Sequence, residues 1–235
     1  TDNDRNIVHK WREHGFDRLV MRAYHTELVE TGADRAVIHV SWSLGAPIYK
    51  PVARGTVRWT VYADGSIAME TDVSVRPGIP FLPRFGLRWT LPAGFDEVSY
   101  FGFGPTESYV DKKHATWLSR FDTTVSAMHE PYLKPQENGS HVGTEWAEIR
   151  NATGEGIRFA ADGAFSFHAA HHTPEQLAAA MHPHELATCQ ETVVHLDWMN
   201  SGVGSNSCGP ELLPEYRLSQ ESFSYRLKIT PFAAR

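Results

Sequence analysis

The stretch "TVRWTVYADGSIAMETDVSV", Thr56 to Val75, decides the fold class. Val57, Trp59 and Val61 alternate with polar neighbours, the period of two expected of a strand whose side chains point to opposite faces. Asp64-Gly65 interrupts the run, and alternation resumes with Ile67, Met69, Val73 and Val75. Asp-Gly between two alternating runs is the strongest short-range hairpin signal, because both residues tolerate the positive φ of a tight turn. The same period recurs in "RAVIHVSW" (35–42), "RFGLRWTL" (84–91), "GIRFAADGAFSFHAA" (156–170), "ETVVHLDW" (191–198) and "SFSYRLKITPF" (222–232). Separated by turn residues, these runs predict a mainly β chain, a large antiparallel β-sandwich with one or two short helices.

The helix signals are two. "NIVHKWREHG" reads as a short helix closed by Gly15. "TPEQLAAAM" has Thr173 as N-cap, Pro174 at the first helical position and Gln176 to complete a capping box. No repeat or linker divides the chain. The punctuation between Arg76 and Pro83 reads as a crossing between strands, so one domain over residues 1–235 is expected.

Composition narrows the function classes. The chain has 235 residues and a net charge of −6, with no run of Lys or Arg to track a phosphate backbone, which argues against nucleic acid. No apolar run approaches the roughly 20 residues of a membrane-spanning helix, so no membrane partner is expected. The two cysteines, Cys189 and Cys208, form neither a disulfide framework nor a ligand spacing, which suits a reducing, cytoplasmic setting. Opening at Thr1 rather than Met, the chain reads as a piece of a longer protein.

Candidate chemistry comes from three residue classes. His168, His171, His172, His182 and His184 crowd around the second helix, but without the i, i+4 pairing of a zinc helix, and no metal site is assigned. Glu107, Asp111, Glu137, Glu145 and Asp197 are the acids of interest for glycoside chemistry, which needs two facing carboxylates. Spacing alone brings no two of them together. Seven Trp and eight Tyr suit either a sandwich core or platforms for the apolar faces of sugars.

Three longer blocks carry a resemblance: "TDND" (1–4), "GFGPTESYVDKKHATWLSRFD" (102–122) and "EPYLKPQENGSHVGTEW" (130–146). With the tail from "FHAAHHTPEQLAAAMHPHEL" to "HLDWMNSGVGSNSCGPELLPEYRL", they span essentially the whole chain. The chain resembles the C-terminal, small-chain domain of bacterial β-galactosidases of glycoside hydrolase family 2. The resemblance implies a galactose-mutarotase-like β-supersandwich that lacks its first strands, with no catalytic residue of its own. The family's catalytic glutamates and magnesium lie in a preceding barrel domain, which becomes the implied partner, and the implied full-length enzyme is a homo-oligomer that hydrolyses terminal β-D-galactosides with retention. The resemblance also implies substrate contact by the glycine-rich loop, at Ser205, Asn206, Ser207, Cys208 and Gly209. Cys208 stands where well-known relatives present a tryptophan, and a thiol offers little stacking area. Two other readings stay open: a free-standing carbohydrate-binding module, marked by exposed aromatics on one sheet face, and an aldose epimerase, which needs His168 to converge with Glu107 or Glu145.

Overall fold

The computed structural model describes residues 4–204 and 209–233 of the chain. The hairpin read from the sequence is its starting point: β3 (Ala53–Tyr62) and β4 (Ile67–Val75) pair antiparallel from Val61↔Ile67 to Ala53↔Val75. Asp64 closes the turn by accepting from the Ser66 amide (2.9 Å) and hydroxyl (2.6 Å), while Gly65 takes φ +82°. An Asp carboxylate bonding two residues ahead is the Asx mechanism that makes Asp-Gly a turn former. β2 (Arg35–Gly45) pairs with the other side of β3, and β1 (Val20–Thr31) pairs with β2. On the far side of β4 come β11 (Ser222–Phe232), β9 (Gly156–Ala170), β8 (His141–Asn151), β6 (Phe95–Gly104) and β7 (Trp117–Thr124).

The sheet branches at β9. Residues 156–161 pair with β11, whereas 166–170 pair with β10 (Thr192–Asn200), which in turn holds β5 (Arg84–Leu91). Between the two halves Asp162, Gly163 and Ala164 are exposed and Gly163 adopts φ +96°, a conformation that costs other residues strain. The β5–β10 ribbon folds over β2–β4 and β11 as a second layer. Trp42 stacks on Phe85 (6.2 Å between centroids), Phe85 meets Phe223 edge-on (5.0 Å), and Trp198 lies flat on Phe223 (4.0 Å). The main core, with Phe159, Phe165, Phe167, Ile149 and Leu196 fully buried, lies beside this seam. The expected antiparallel β-sandwich is therefore present, and the crossing read at 76–83 carries the chain from one layer to the other.

Both helices also form where expected. α1 (Val8–Glu13) stops at Gly15, which takes φ +76° and bonds back to the Arg12 carbonyl (3.0 Å). α2 (Pro174–Ala179) opens on the reciprocal box, Gln176 N to Thr173 Oγ1 (3.2 Å) and Thr173 N to Gln176 Oε1 (2.7 Å). Among the described residues no helix is long and apolar enough to cross a membrane. β1 was not anticipated, for a physical reason. Its register breaks twice, at Ala23/His25 and Leu28/Glu30, so its apolar residues lose the period of two, and nearly every side chain is exposed.

Candidate functional site

β6 ends at Gly104, and the corner that follows turns its polar side chains inward. Gly102 permits close packing there, since a Cβ on it would stand 2.5 Å from Thr144 Oγ1. Ser108 ties the corner to the loop before β8: its amide donates to the Ser140 carbonyl (2.6 Å), and its hydroxyl accepts from the Val142 amide (3.0 Å). Glu107, only 7% exposed, is saturated by three donors, the Gly139 amide (2.8 Å), the Lys112 ammonium and the Tyr132 hydroxyl. Lys112 also donates to Tyr132 (2.6 Å), and its pKa rises against a burial penalty because Glu107 and Tyr132 hold the charged form.

Two residues further, Tyr109 reaches the centre of a buried polar knot. Its hydroxyl donates to Glu137 Oε1 (3.4 Å), and burial, reinforced by the nearby carboxylates of Glu137 and Glu107, pushes its pKa well up. Arg84, at the start of β5, bonds Glu137 through Nη1 (3.1 Å) and Asp197 through Nε (3.0 Å) and Nη2. Burial opposes the guanidinium charge, but the two carboxylates outweigh it and hold Arg84 protonated. Burial likewise lifts the Asp197 carboxyl above the ordinary aspartate value, against the pull of Arg84. Asp197 is thus tolerated in the core because Arg84 pairs it.

His168 and His195 face each other across β9 and β10, rings 5.4 Å apart. Burial lowers both, His168 to about 4, and the Arg84 charge adds to the depression of His195, so both rings are neutral near pH 7. His141 behaves alike, lowered to about 4 by burial, and its Nδ1 lies 3.0 Å from the Phe103 carbonyl.

Asp111, four residues beyond Glu107, has a structural task. Its Oδ1 accepts from the Val203 amide (3.1 Å) and its Oδ2 from the Gly204 amide (2.8 Å), so it grips the root of the glycine-rich loop. A side chain at Gly202 would run into this carboxylate, with the added Cβ 2.5 Å from Asp111 Cγ. Ser201 fixes the same root by donating to Leu82 O (2.7 Å) and accepting from Leu218 N (2.8 Å). Of the expected substrate-contacting residues, Ser205, Asn206, Ser207 and Cys208 lie outside the described residues; Gly209 is exposed, with open space where a Cβ would stand.

The chemistry this arrangement supports is positioning. A retaining glycosidase needs one carboxyl free as nucleophile and one free to carry a proton across an open gap. Glu107, Glu137 and Asp197 are each committed to cations or hydroxyls, Asp111 to two amides, and Glu145 projects into solvent from β8. Glu145 therefore does not join His168. Glu107 and His168 do flank Gly139, yet Glu107 borders a surface cavity with Lys112 and Tyr132 that His168, buried in the core, does not line. The exposed aromatics Tyr24, Tyr49 and Trp117 do not share a platform either, since Tyr24 lies on β1 and Trp117 on β7, at opposite ends of the strand order.

The histidines divide rather than converge. His168 is in the core, His171 bonds Asp96 (3.0 Å), and His182 and His184 stack on the surface beside Glu185. The last three bring their ligand atoms within 4.8 Å and could hold a zinc-like ion. Magnesium, which takes oxygen ligands in an octahedron, does not fit two imidazoles and one carboxylate. Sequence reading missed Arg84, Lys112 and Tyr132; Arg84 looks no different in the sequence from Arg88, the second arginine of the same alternating strand.

Residues 1–229 match the family profile described as "Beta galactosidase small chain". The chain belongs to this small-chain family. It is 38% identical to a β-galactosidase of Staphylococcus xylosus over 97% of its own length and 23% of that enzyme, and 38% identical to one of Actinobacillus pleuropneumoniae, again over 97% of its length and 22% of the relative. This small-chain domain therefore spans less than a quarter of the curated relatives it matches. Among solved structures, a GalM/aldose epimerase homologue from C. elegans aligns with 89% of the chain and 69% of its own, with a TM-score of 0.41 and 9% identity.

Proposed function

We propose that residues 1–235 are the C-terminal, non-catalytic domain of a retaining β-galactosidase of glycoside hydrolase family 2, acting on terminal non-reducing β-D-galactosides. The observation that carries this reading is the pairing of high coverage of this chain with low coverage of relatives named β-galactosidase, in a chain whose buried acids are all engaged. On this reading the catalytic glutamates and the magnesium belong to the partner barrel, and the enzyme is a cytoplasmic homo-oligomer. Two cysteines, with Cys189 a free thiol, suit a reducing compartment.

The domain's part would be to finish the substrate pocket. Asp111, Ser201 and Gly202 pin the loop root, and Ser205 to Gly209 would reach the outer part of the sugar site, where the leaving group or acceptor sits. The test has two arms. The isolated chain should not turn over a chromogenic β-galactoside above background while the full-length enzyme does. In the full-length enzyme, Cys208→Trp should tighten an aromatic aglycone or glucose acceptor by about 0.5–1.5 kcal/mol through the added stacking face. Robust turnover by the isolated chain, lost in Glu107→Gln, would overturn the placement of the chemistry. Unchanged Michaelis and inhibition constants in stable Cys208→Trp and Cys208→Ala enzymes would place the loop away from the pocket.

A further inference from the structure

Two features lie apart from the loop root, and their chemistry differs. The first is a cleft of about 570 Å³ between the layers. Val40, Val57 and Trp59 form its floor, Phe85 and Leu87 its roof, and Met21 stands at the mouth, 62% exposed. Its charged groups, Arg84 and Asp197, already satisfy each other, so it presents mainly hydrocarbon. The second is the turn that follows α2, which presents ligand atoms.

The base of that turn is fixed on both sides. Cys189 N donates to the His171 carbonyl (2.7 Å), and the Ala187 carbonyl accepts from Gln176 Nε2 (3.2 Å) of α2. Within the base, Pro183 opens a single 3₁₀ turn over Pro183–Glu185. Glu185 N closes it by donating to His182 O (3.1 Å), and Leu186 N by donating to Pro183 O (3.2 Å). Proline pre-sets φ at the first position of such a turn, so the side chains on it are held in place at low entropic cost.

Three of these side chains are metal ligands by type: His182, His184 and Glu185. Their ligand atoms lie within 4.8 Å of one another. Glu185 Oε2 accepts from the Met181 amide (2.8 Å), which aims Oε1 at His182 Nδ1 (3.0 Å). A donor on the outer oxygen of a carboxylate is the kind of support that orients a metal ligand. The His184 ring lies nearly parallel to that of His182, with centroids 5.4 Å apart. Ligands about 2.0–2.1 Å from a tetrahedral ion stand about 3.3 Å from one another. The His182–Glu185 edge is thus close to its bound length, and a rotation of the exposed His184 side chain closes the rest. Two imidazoles and a carboxylate select zinc or a similar late first-row ion over magnesium and calcium, which take oxygen ligands. The i, i+2, i+3 spacing escapes the i, i+4 rule of a zinc helix because these ligands sit on a 3₁₀ turn.

We infer that His182, His184 and Glu185 bind one zinc-like ion per chain and that the ion clasps the turn between α2 and β10. The test is a zinc titration of the native full-length protein by calorimetry, in excess magnesium to fill any oxygen-ligand site. His182→Ala and His184→Ala, at exposed positions where substitution costs little stability, should each weaken one zinc site per chain by at least about 10-fold. Cys189→Ala should leave that site unchanged, since the thiol bonds Gln176. Amide hydrogen exchange reads the clasp itself. At free zinc about ten times Kd the bound turn is favoured about 11-fold, so exchange at Met181, Glu185 and Leu186 should slow by about tenfold in the wild-type protein and not in His184→Ala. Identical titrations in the wild type and both histidine variants, or loss of the site in Cys189→Ala, would overturn the inference. Equal slowing of the same amides by magnesium alone would overturn it as well, because two imidazoles do not suit that ion.

Discussion

The knot around Arg84 and the cleft beside it share residues but are closed to different degrees. In the knot, one arginine, two carboxylates and a tyrosine, drawn from β5, β10 and two loops, satisfy one another within residues 1–235. In the cleft, a comparable run of hydrocarbon stays uncovered. The difference follows from the cost of leaving each kind of surface unfinished. An unpaired buried charge costs several kcal/mol, whereas exposed hydrocarbon costs only about 25 cal/mol per Å². A small-chain domain can therefore leave apolar surface open far more readily than it can leave a charge unpaired.

The largest expected effect tests the closed side. Arg84→Met leaves Asp197 and Glu137 buried without a counter-charge and should destabilise the chain by about 3–5 kcal/mol in urea unfolding, with part recovered by adding Asp197→Leu. A loss under about 1 kcal/mol would mean that water already reaches the knot.

Next comes acid. His141 and His168 sit near 4 in the folded state and near 6.5 when unfolded, so the unfolded chain takes up protons first as pH falls. Their contribution is fully present above about pH 6.5 and declines as pH drops towards 4, the loss reaching about 2 kcal/mol per ring by pH 5. Unfolding midpoints measured from about pH 7.5 to 4.5 should show this slope, and His168→Gln should remove about a third of it, because the buried His195 ring adds a like contribution.

The smallest effect tests the open side. Met21→Ser, at the cleft mouth, should change the stability of residues 1–235 by no more than about 0.5 kcal/mol, because the side chain is exposed. A loss above about 1 kcal/mol would show that the cleft is already closed within this stretch.

Local signals carried most of the architecture and little of the site. Asp64-Gly65 and the Thr173 box act over two or three residues, so their geometry is written in adjacent letters. The bulged β1 escaped because two register breaks erase the period on which strand reading depends. The knot was invisible for another reason: Glu107 meets Gly139 across 32 residues and Arg84 meets Asp197 across 113, separations at which spacing says nothing about contact. Glu107 and Asp111, singled out as acids of interest, both proved engaged in holding loops rather than free. The neighbouring histidines, which sequence reading left without a role, divide in space, His168 in the core and His182 and His184 on the surface.

The partnership of β5 with β10, its one strand neighbour among the described residues, also sets a clock on synthesis. Arg84 leaves the ribosome 113 residues before Asp197, a wait of roughly 6–23 s at about 5–20 residues per second. The hairpins of β1 to β4 are contiguous in the chain and can close as soon as they emerge, whereas "RFGLRWTL" stays unpaired with β10 until the second layer is nearly complete. That strand is where a nascent chain would first attract holdase chaperones, and slowing translation between residues 92 and 191 would lengthen its exposure.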